Sequence, residues 1–162
     1  MKKLTIRKYP DPILREKTQK VKDPLAKEVQ ELISAMVETM HVDNKAVGLA
    51  APQVGSSLRI CTIEEGGVTY VLINPKITAK SRNKIVAEEG CLSFPGQFFP
   101  VARHSEVQVR YLDEHGEAKK VKGSGLLARA LQHELDHLDG ILFIDKMKTK
   151  KSLPPKKAEK NS

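Results

Sequence analysis

Cysteines, aromatic residues and long apolar runs are all scarce in this chain of 162 residues. Two cysteines, Cys61 and Cys91, are too few for a disulfide framework and favour a reducing compartment. An aromatic content of 4% argues against stacking platforms for single-stranded nucleic acid. No apolar run is long enough to span a membrane, and the basic N-terminus lacks the apolar stretch of a signal peptide. We therefore expect a cytoplasmic protein without membrane contact and without specific nucleic-acid recognition.

The positive charge is concentrated at the C-terminal end of the chain. Residues 146–162 hold seven lysines and one acid, Glu159, and thus carry +6 of the net charge of +8. The rest of the chain is therefore nearly neutral. The lysine-rich stretch also contains a Pro-Pro pair and shows no apolar periodicity, which predicts a disordered tail. We expect a single domain over residues 1–145, followed by this basic tail.

The apolar pattern predicts one long helix and two hairpins. Asp23-Pro24 is a typical helix start, and apolar residues recur at helical spacing over 24–41, so we expect an amphipathic helix there. Residues 58–73 hold two runs rich in β-formers around Gly66-Gly67, which favours a hairpin. A second alternating pattern predicts another hairpin over 105–122.

The most informative motif is His133-Glu134-Leu135-Asp136-His137. On a helix, residues four apart point the same way, so His133 and His137 can bind one metal ion. Glu134 can then reach the open coordination position and take a proton from a bound water. Ser124 and Gly140 are credible start and stop signals for this helix. Its apolar face consists of Leu127, Leu131, Leu135 and Leu138. The alternative is a solvated helix with two surface histidines.

Two further segments support a metal site. A catalytic metal needs a third protein ligand, and Cys91 stands in a Gly-, Pro- and Ser-rich loop at 88–96, where a thiolate would be accessible. The segment 47–55 surrounds one amide side chain, Gln53, with small residues, and Gly48 would let another backbone approach closely. Taken singly, these segments are equally consistent with an ordinary loop cysteine and a small-residue turn.

Together, the three segments resemble the three motifs of peptide deformylases. They are Gly48-Leu49-Ala50-Ala51-x-Gln53, Glu89-Gly90-Cys91-Leu92-Ser93 and His133-Glu134-x-Asp136-His137. Their order and spacing fit the family over most of residues 1–145, and a cysteine upstream of the two histidines distinguishes it from ordinary zinc proteases. One position departs from the family pattern. The first motif commonly begins Gly-x-Gly, and here Ala46 takes the first place in a loop that would face the substrate.

The resemblance implies a catalytic metallohydrolase domain. Its members remove the N-formyl group from the initiator methionine of newly made polypeptides and release formate. By position in the motifs, Cys91, His133 and His137 would hold the metal, with water as the fourth ligand. Glu134 would take a proton from this water and later deliver it to the departing amine. The resemblance favours Fe²⁺ in the cell, although the same ligands suit Zn²⁺, Ni²⁺ or Co²⁺ in a purified sample.

The resemblance also implies how the substrate would be held. The Gln53 amide and the Leu92 backbone N–H would donate hydrogen bonds to the formyl oxygen as it gains negative charge. The backbone at Val47–Gly48 and at Gly90 would pair with the peptide as an added strand. The methionine side chain would enter an apolar pocket. We assign Val47, Leu126 and Ala130 to the wall of that pocket.

The predicted helices and hairpins indicate an α+β fold. In it, antiparallel β-sheets pack around a central metal-binding helix, and one long N-terminal amphipathic helix completes the architecture. Close to the metal ligands, Asp136 and Glu89 are candidates for orienting the ligand side chains. Either acid is equally consistent with a solvated charge.

Two other functions stay open from the residues alone. The H-E-x-x-H motif also occurs in metallopeptidases, which would cleave unformylated peptides too. A ribosome- or nucleic-acid-binding protein with an inactive metal site would explain the basic tail, but the complete catalytic set argues against it. The expected partners are N-formylmethionyl nascent peptides and, through residues 146–162, a weak, salt-dependent contact with the ribosome. A solubilising tail is the simpler explanation.

Overall fold

Two α-helices and seven β-strands form the fold in a computed structural model that describes residues 3–42 and 46–147. The helices are α1, Lys27–Val42, and α2, Gly125–Leu138. The strands are β1 Gly48–Ala50, β2 Ile60–Glu65, β3 Val68–Lys80, β4 Lys84–Cys91, β5 Phe94–His104, β6 Glu106–Leu112 and β7 Ala118–Ser124. Short 3-10 helices cover Pro12–Arg15, Ala51–Val54 and Phe143–Lys146. The predicted α+β class with antiparallel sheets is confirmed.

Five strands form one antiparallel sheet in the order β1-β2-β3-β6-β7. Both predicted hairpins lie in it, as β2–β3 and β6–β7. Gly66 and Gly67, between β2 and β3, have φ values of 63° and 79°. Positive φ at both central residues is what a tight hairpin turn with right-handed strand twist requires, and glycine adopts it at little cost.

The second sheet is the two-stranded hairpin β4–β5, and here the sequence prediction was wrong. Residues 88–96 were expected to form a loop, but β4 continues to Cys91 and β5 begins at Phe94, with Cys91 opposite Phe94. The Gly, Pro and Ser content predicts a loop locally, whereas pairing between the two strands fixes an extended backbone. The pairing register shifts between Glu89 and Cys91.

Helix α2 packs across one face of the larger sheet and forms the centre of the domain. The four leucines predicted for its apolar face are all buried: Leu127, Leu131, Leu135 and Leu138. Ser124 is the N-cap residue, as predicted, although its side chain makes no capping hydrogen bond. Gly140 has φ of 75° just after the last turn, which suits the left-handed conformation that ends many helices.

Helix α1 covers the opposite face of the sheet, where it packs against β1 and β2. It begins at Lys27 and not at residue 24, because Asp23 forms a turn in which its side chain accepts a hydrogen bond from the Leu25 N–H at 3.0 Å. The helix predicted over 24–41 is therefore present as α1, but the expectation that it is N-terminal was wrong. An extended segment and the 3-10 helix Pro12–Arg15 precede α1.

The described structure ends just beyond the predicted domain boundary at residue 145. Lys146 closes the last 3-10 helix, and Met147 forms an isolated antiparallel bridge with Val101 of β5. Residues 148–162, which make up most of the predicted tail, lie outside the described residues. Neither described helix combines the length and hydropathy needed to cross a membrane.

Candidate metal centre

The two histidines of the motif lie one turn apart on α2, and the end of β4 brings Cys91 beside them. The Cys91 Sγ atom is 3.3 Å from His137 Nε2, and the ring centroids of His133 and His137 are 5.0 Å apart. One ligand atom from each of the three side chains lies within 4.8 Å of the others. Both histidines are buried and Cys91 is half-buried. The three predicted ligands therefore converge, although they come from two separate elements.

Glu89 orients the ring of His133. Its Oε1 atom is 2.9 Å from His133 Nδ1. Because an ionised carboxylate only accepts hydrogen bonds, Nδ1 carries the proton and Nε2 is left to bind a metal. Burial by itself would raise the pKa of Glu89, but hydrogen bonds from Arg103 and His133 hold it well below its usual range. Glu89 is thus charged and paired, and it is not a solvated acid.

Asp136, the other candidate for orienting a ligand, contacts two cationic side chains. It is connected to His133 through Arg103 and Glu89. Its carboxylate accepts from Arg103 Nη1 at 2.6 Å and lies 3.1 Å from Lys146 Nζ. Sequence analysis missed Arg103 and also Arg129, which donates to Glu89 Oε2 at 2.6 Å. Arg129 stands four residues before His133 on α2, a spacing that places both on one helix face. No comparable signal marks Arg103.

The two histidine ligands differ in protonation when no metal is bound. Burial lowers the pKa of His137 well below its ordinary value, and the neighbouring His133 lowers it further, so that His137 is neutral as a ligand must be. Burial also lowers the pKa of His133, but hydrogen bonds with Cys91 and Glu89 outweigh it and raise the pKa to about 10, so a metal that binds His133 Nε2 must displace a proton from it. Within residues 3–42 and 46–147, His137 Nδ1 is buried with no hydrogen-bond partner. One thiol and two imidazoles form a donor set that fits a divalent transition metal.

Glu134 lies beside the ligands in the same buried region. It is 4% exposed, and burial raises the pKa of its carboxyl to about 7. Its Oε2 atom is 2.6 Å from the point where a Cβ on residue 48 would stand. From the sequence we expected another backbone beside Gly48, whereas the close neighbour is the Glu134 side chain. Nothing in the described part of the chain hydrogen-bonds to Glu134 Oε1.

The amide nitrogen of Gln53 faces the end of β4 and the turn that follows it. Its Nε2 atom is 3.2 Å from Ser93 Oγ and 3.5 Å from Cys91 Sγ, and its Oε1 accepts from the Ala50 N–H at 2.9 Å. These contacts fix the side chain with its donor face towards the metal ligands. Leu92 stands in the two-residue turn between β4 and β5, immediately after Cys91. Cys91, the turn at Leu92 and the Gln53 amide therefore lie close together on one side of the site.

A cleft of about 550 Å³ opens over this centre. Its lining includes every residue predicted to hold the substrate: Val47, Gly48, Gly90, Leu126 and Ala130. Strand β1 is an edge strand of the five-stranded sheet and borders the cleft, so its free edge can accept an extended peptide. Phe98, an exposed ring that lines the cleft, was not predicted from the sequence. Its Cε2 atom lies 2.5 Å from the point where a Cβ on residue 90 would stand.

Known proteins resemble this chain in sequence. The family model described as polypeptide deformylase matches residues 3–153. A peptide deformylase of Halothermothrix orenii is 49% identical over 146 residues, which cover 89% of this chain and 93% of that protein. A peptide deformylase of Thermodesulfovibrio yellowstonii is 46% identical over 149 residues, which cover 89% of this chain and 88% of that protein.

Solved structures resemble it in fold. A crystal structure of peptide deformylase from Thermotoga maritima superposes with a TM-score of 0.87 at 39% identity, and covers 92% of this chain and 100% of that one. The structure of a peptide deformylase from Synechococcus elongatus in complex with actinonin gives a TM-score of 0.86 at 38% identity, over 91% of this chain and 80% of that one.

Proposed function

Since this chain belongs to the peptide deformylase family, we propose that Cys91, His133 and His137 hold the catalytic metal of a deformylase centre. The chain is a hydrolase that removes the N-formyl group from newly made polypeptides and releases formate. The observation that carries the site assignment is the convergence of one thiol and two imidazoles within 4.8 Å, under a cleft beside a buried Glu134. This family assignment replaces the metallopeptidase alternative.

The metal is proposed to be Fe²⁺ in the cell, with Zn²⁺, Ni²⁺ or Co²⁺ able to occupy the same ligands in a purified sample. When bound, a divalent metal supplies Lewis-acid polarisation of water and of the formyl oxygen. The donor set supports a transition metal in preference to Mg²⁺ or Ca²⁺, which take oxygen ligands. The family resemblance supports iron as the cellular metal.

Glu134 is proposed as the proton carrier. It would take a proton from the water that attacks the formyl carbon and return it to the nitrogen as the C–N bond breaks. Formate then leaves with the water oxygen, and the methionine amine is freed. A pKa raised to about 7 by burial supports this role, because a carrier must accept and release a proton near neutral pH.

Gln53 and Leu92 are proposed as the two donors to the formyl oxygen. The Gln53 amide nitrogen faces Cys91 and Ser93, and the hydrogen bond from the Ala50 N–H to its Oε1 holds this orientation. The Leu92 backbone N–H follows the cysteine ligand directly. Donors fixed before the reaction stabilise the developing negative charge without reorganisation.

The nascent peptide is proposed to add as a strand between Val47–Gly48 and Gly90. The open edge of β1 supports this mode of binding. The methionine side chain would then lie against Val47, Leu126 and Ala130, which line the cleft together. The preference beyond methionine would depend on other residues that line the cleft, such as Ala46 and Phe98.

The proposal extends to location and partners. Formylated chains emerge from ribosomes, so we place the activity in the cytoplasm. The lysines of residues 146–162 would attract ribosomal RNA weakly and in a salt-dependent manner. This contact would keep the enzyme near its substrate, and it is separate from turnover at the cleft.

Formate release from formyl-Met-Ala-Ser under anaerobic conditions tests the proposed function, with the bound metal measured in parallel. We expect release that tracks metal content, with unformylated Met-Ala-Ser left intact. Activity of the iron form should decay in air, whereas the nickel and cobalt forms should persist, because an iron–thiolate centre is oxidisable. Cleavage of the unformylated peptide would contradict the deformylase assignment, and equal air stability of all metal forms would contradict Fe²⁺.

A further inference from the structure

The carboxylate that orients His133 is itself held by two arginines. Glu89 Oε1 accepts from His133 Nδ1 at 2.9 Å and Arg103 Nη2 at 2.9 Å. Its Oε2 accepts from Arg103 Nε at 2.7 Å and Arg129 Nη1 at 2.6 Å. Each oxygen therefore accepts two hydrogen bonds. Arg103 lies on β5, in the same hairpin as Glu89, whereas Arg129 comes from α2.

Arg129 also bonds to the backbone of both hairpin strands. Its Nη2 donates to the Ile85 carbonyl of β4 at 2.6 Å, and its Nη1 donates to the Val101 carbonyl of β5 at 2.9 Å. The Arg129 side chain is only 13% exposed; its bond to Val101 is partly buried, whereas its bond to Ile85 lies at the surface. One guanidinium group from α2 thus connects β4, β5 and Glu89.

This connection matters because the metal ligands come from the two elements that it joins. Cys91 ends β4, while His133 and His137 lie on α2. The hairpin pairs with no strand of the five-stranded sheet within the described residues. The position of the thiol therefore depends on the contacts of the hairpin with α2 and on the hydrogen bonds that Ser93 makes with Gln53 and the N-terminal segment. Arg129 lies one helical turn from His133 and lines the same cleft.

We propose that Arg129 is a positioning residue for the metal centre, which fastens the hairpin carrying Cys91 to the helix carrying both histidines. It thereby sets the separation of thiolate and imidazoles before a metal binds. The proposal rests on the ligand set under the proposed function. Lysine at this position would keep the charge, but its single nitrogen cannot span a carboxylate and two carbonyls on different strands.

The test compares Arg129→Met and Arg129→Lys with the wild type and with Arg110→Met as a matched control. Arg110 is exposed on β6, so its removal deletes an arginine away from the cleft. Each full-length protein is loaded with Co²⁺. The measurements are the thiolate-to-cobalt absorption band, the rate of Co²⁺ loss to a chelator, the melting temperature, and kcat and KM for a formylated peptide.

For Arg129→Met we expect Co²⁺ loss about 10-fold faster than in the wild type. This is the low end of the effect of removing a direct partner of a metal ligand, because Arg129 acts on His133 through Glu89. The thiolate band should weaken or shift, and kcat should fall more than KM changes. Arg129→Lys should be intermediate and Arg110→Met should match the wild type.

An unchanged band and Co²⁺ loss rate in Arg129→Met, even with a lower melting temperature, would mark Arg129 as a packing residue and overturn the proposal. If Arg129→Met does not fold, an Arg129→Lys protein with wild-type band and loss rate overturns it equally. A wild-type protein that binds Co²⁺ without any thiolate band would refute the ligand set itself. That result differs from a failure of Arg129 alone, in which the wild-type band is present.

Discussion

The Glu134 carboxylate fills the space beside Gly48 in which any other residue would place its Cβ atom, with Oε2 2.6 Å from that point. Strand β1 and helix α2 therefore approach each other as closely as a glycine permits. A separation of 2.6 Å is well below van der Waals contact, so even one methyl group at position 48 must displace the Glu134 side chain or move β1.

Gly48→Ala should therefore lower kcat while the metal stays bound. The added methyl would push the Glu134 carboxylate away from the water it serves, and a displacement of about 1 Å can cost roughly 10²-fold in rate. The measurement is kcat for a formylated peptide together with metal content and melting temperature. Near-normal kcat in a folded, metal-loaded Gly48→Ala protein would show that the position of this carboxylate does not limit the reaction.

Gln53→Glu isolates the donor function of the amide. The new carboxylate can still accept the Ala50 N–H, which the Gln53 Oε1 now accepts at 2.9 Å, but it has no N–H to donate. It also adds negative charge where negative charge develops. We expect a loss in kcat on the order of 10²-fold or more.

Gln108→Glu, on β6, is the matched control for this change. It should leave kcat and metal content as in the wild type. A Gln53→Glu protein with the kcat of this control would remove Gln53 from the proposed pair of donors.

Exchange of each cysteine for serine should affect a different property of the protein. Cys91→Ser replaces a soft thiolate with a poor hydroxyl ligand, so metal affinity should fall by more than the roughly 10–100-fold typical of an outer partner. Cys61 is fully buried in the core between α2 and the sheet, and Cys61→Ser should instead reduce stability, because a buried hydroxyl costs about 1–3 kcal/mol. Metal titration and thermal unfolding separate the two effects. Unchanged metal affinity in Cys91→Ser would eliminate it as a ligand.

Deletion of residues 148–162 should leave peptide kinetics and melting temperature nearly unchanged. It should weaken ribosome association at low salt, since it removes six lysines. Co-sedimentation with ribosomes across a salt series measures this effect. Equal binding by the truncated protein would make the segment a solubilising appendage, whereas a loss of several kcal/mol in stability would mean that it packs on the body.

Local spacing explains which parts of the site were predictable. The interval between His133 and His137 matches the helical period, and that period alone places both on one face of α2. The hairpins β2–β3 and β6–β7 were predictable because each is closed by a local turn. In all these cases, neighbouring residues in the sequence determine the geometry.

The parts that were not predictable depend on contacts between distant segments. The extended backbone around Cys91 results from pairing with β5, which the Gly- and Pro-rich composition conceals. Arg103 reaches Asp136 across 33 positions, and Arg129 reaches Glu89 across 40. No local pattern marks Arg103. The helical spacing from His133 places Arg129 on the same face of α2, but it does not identify Glu89 as the partner.

The most direct test of the account is Glu134→Ala, with formate release and bound metal measured on the same sample. Glu134 is proposed to transfer a proton and not to bind the metal. We therefore expect a folded Glu134→Ala protein with wild-type metal stoichiometry and a kcat lower by at least about 10²-fold. Near-normal turnover, or loss of metal in proportion to the loss of activity, would contradict it.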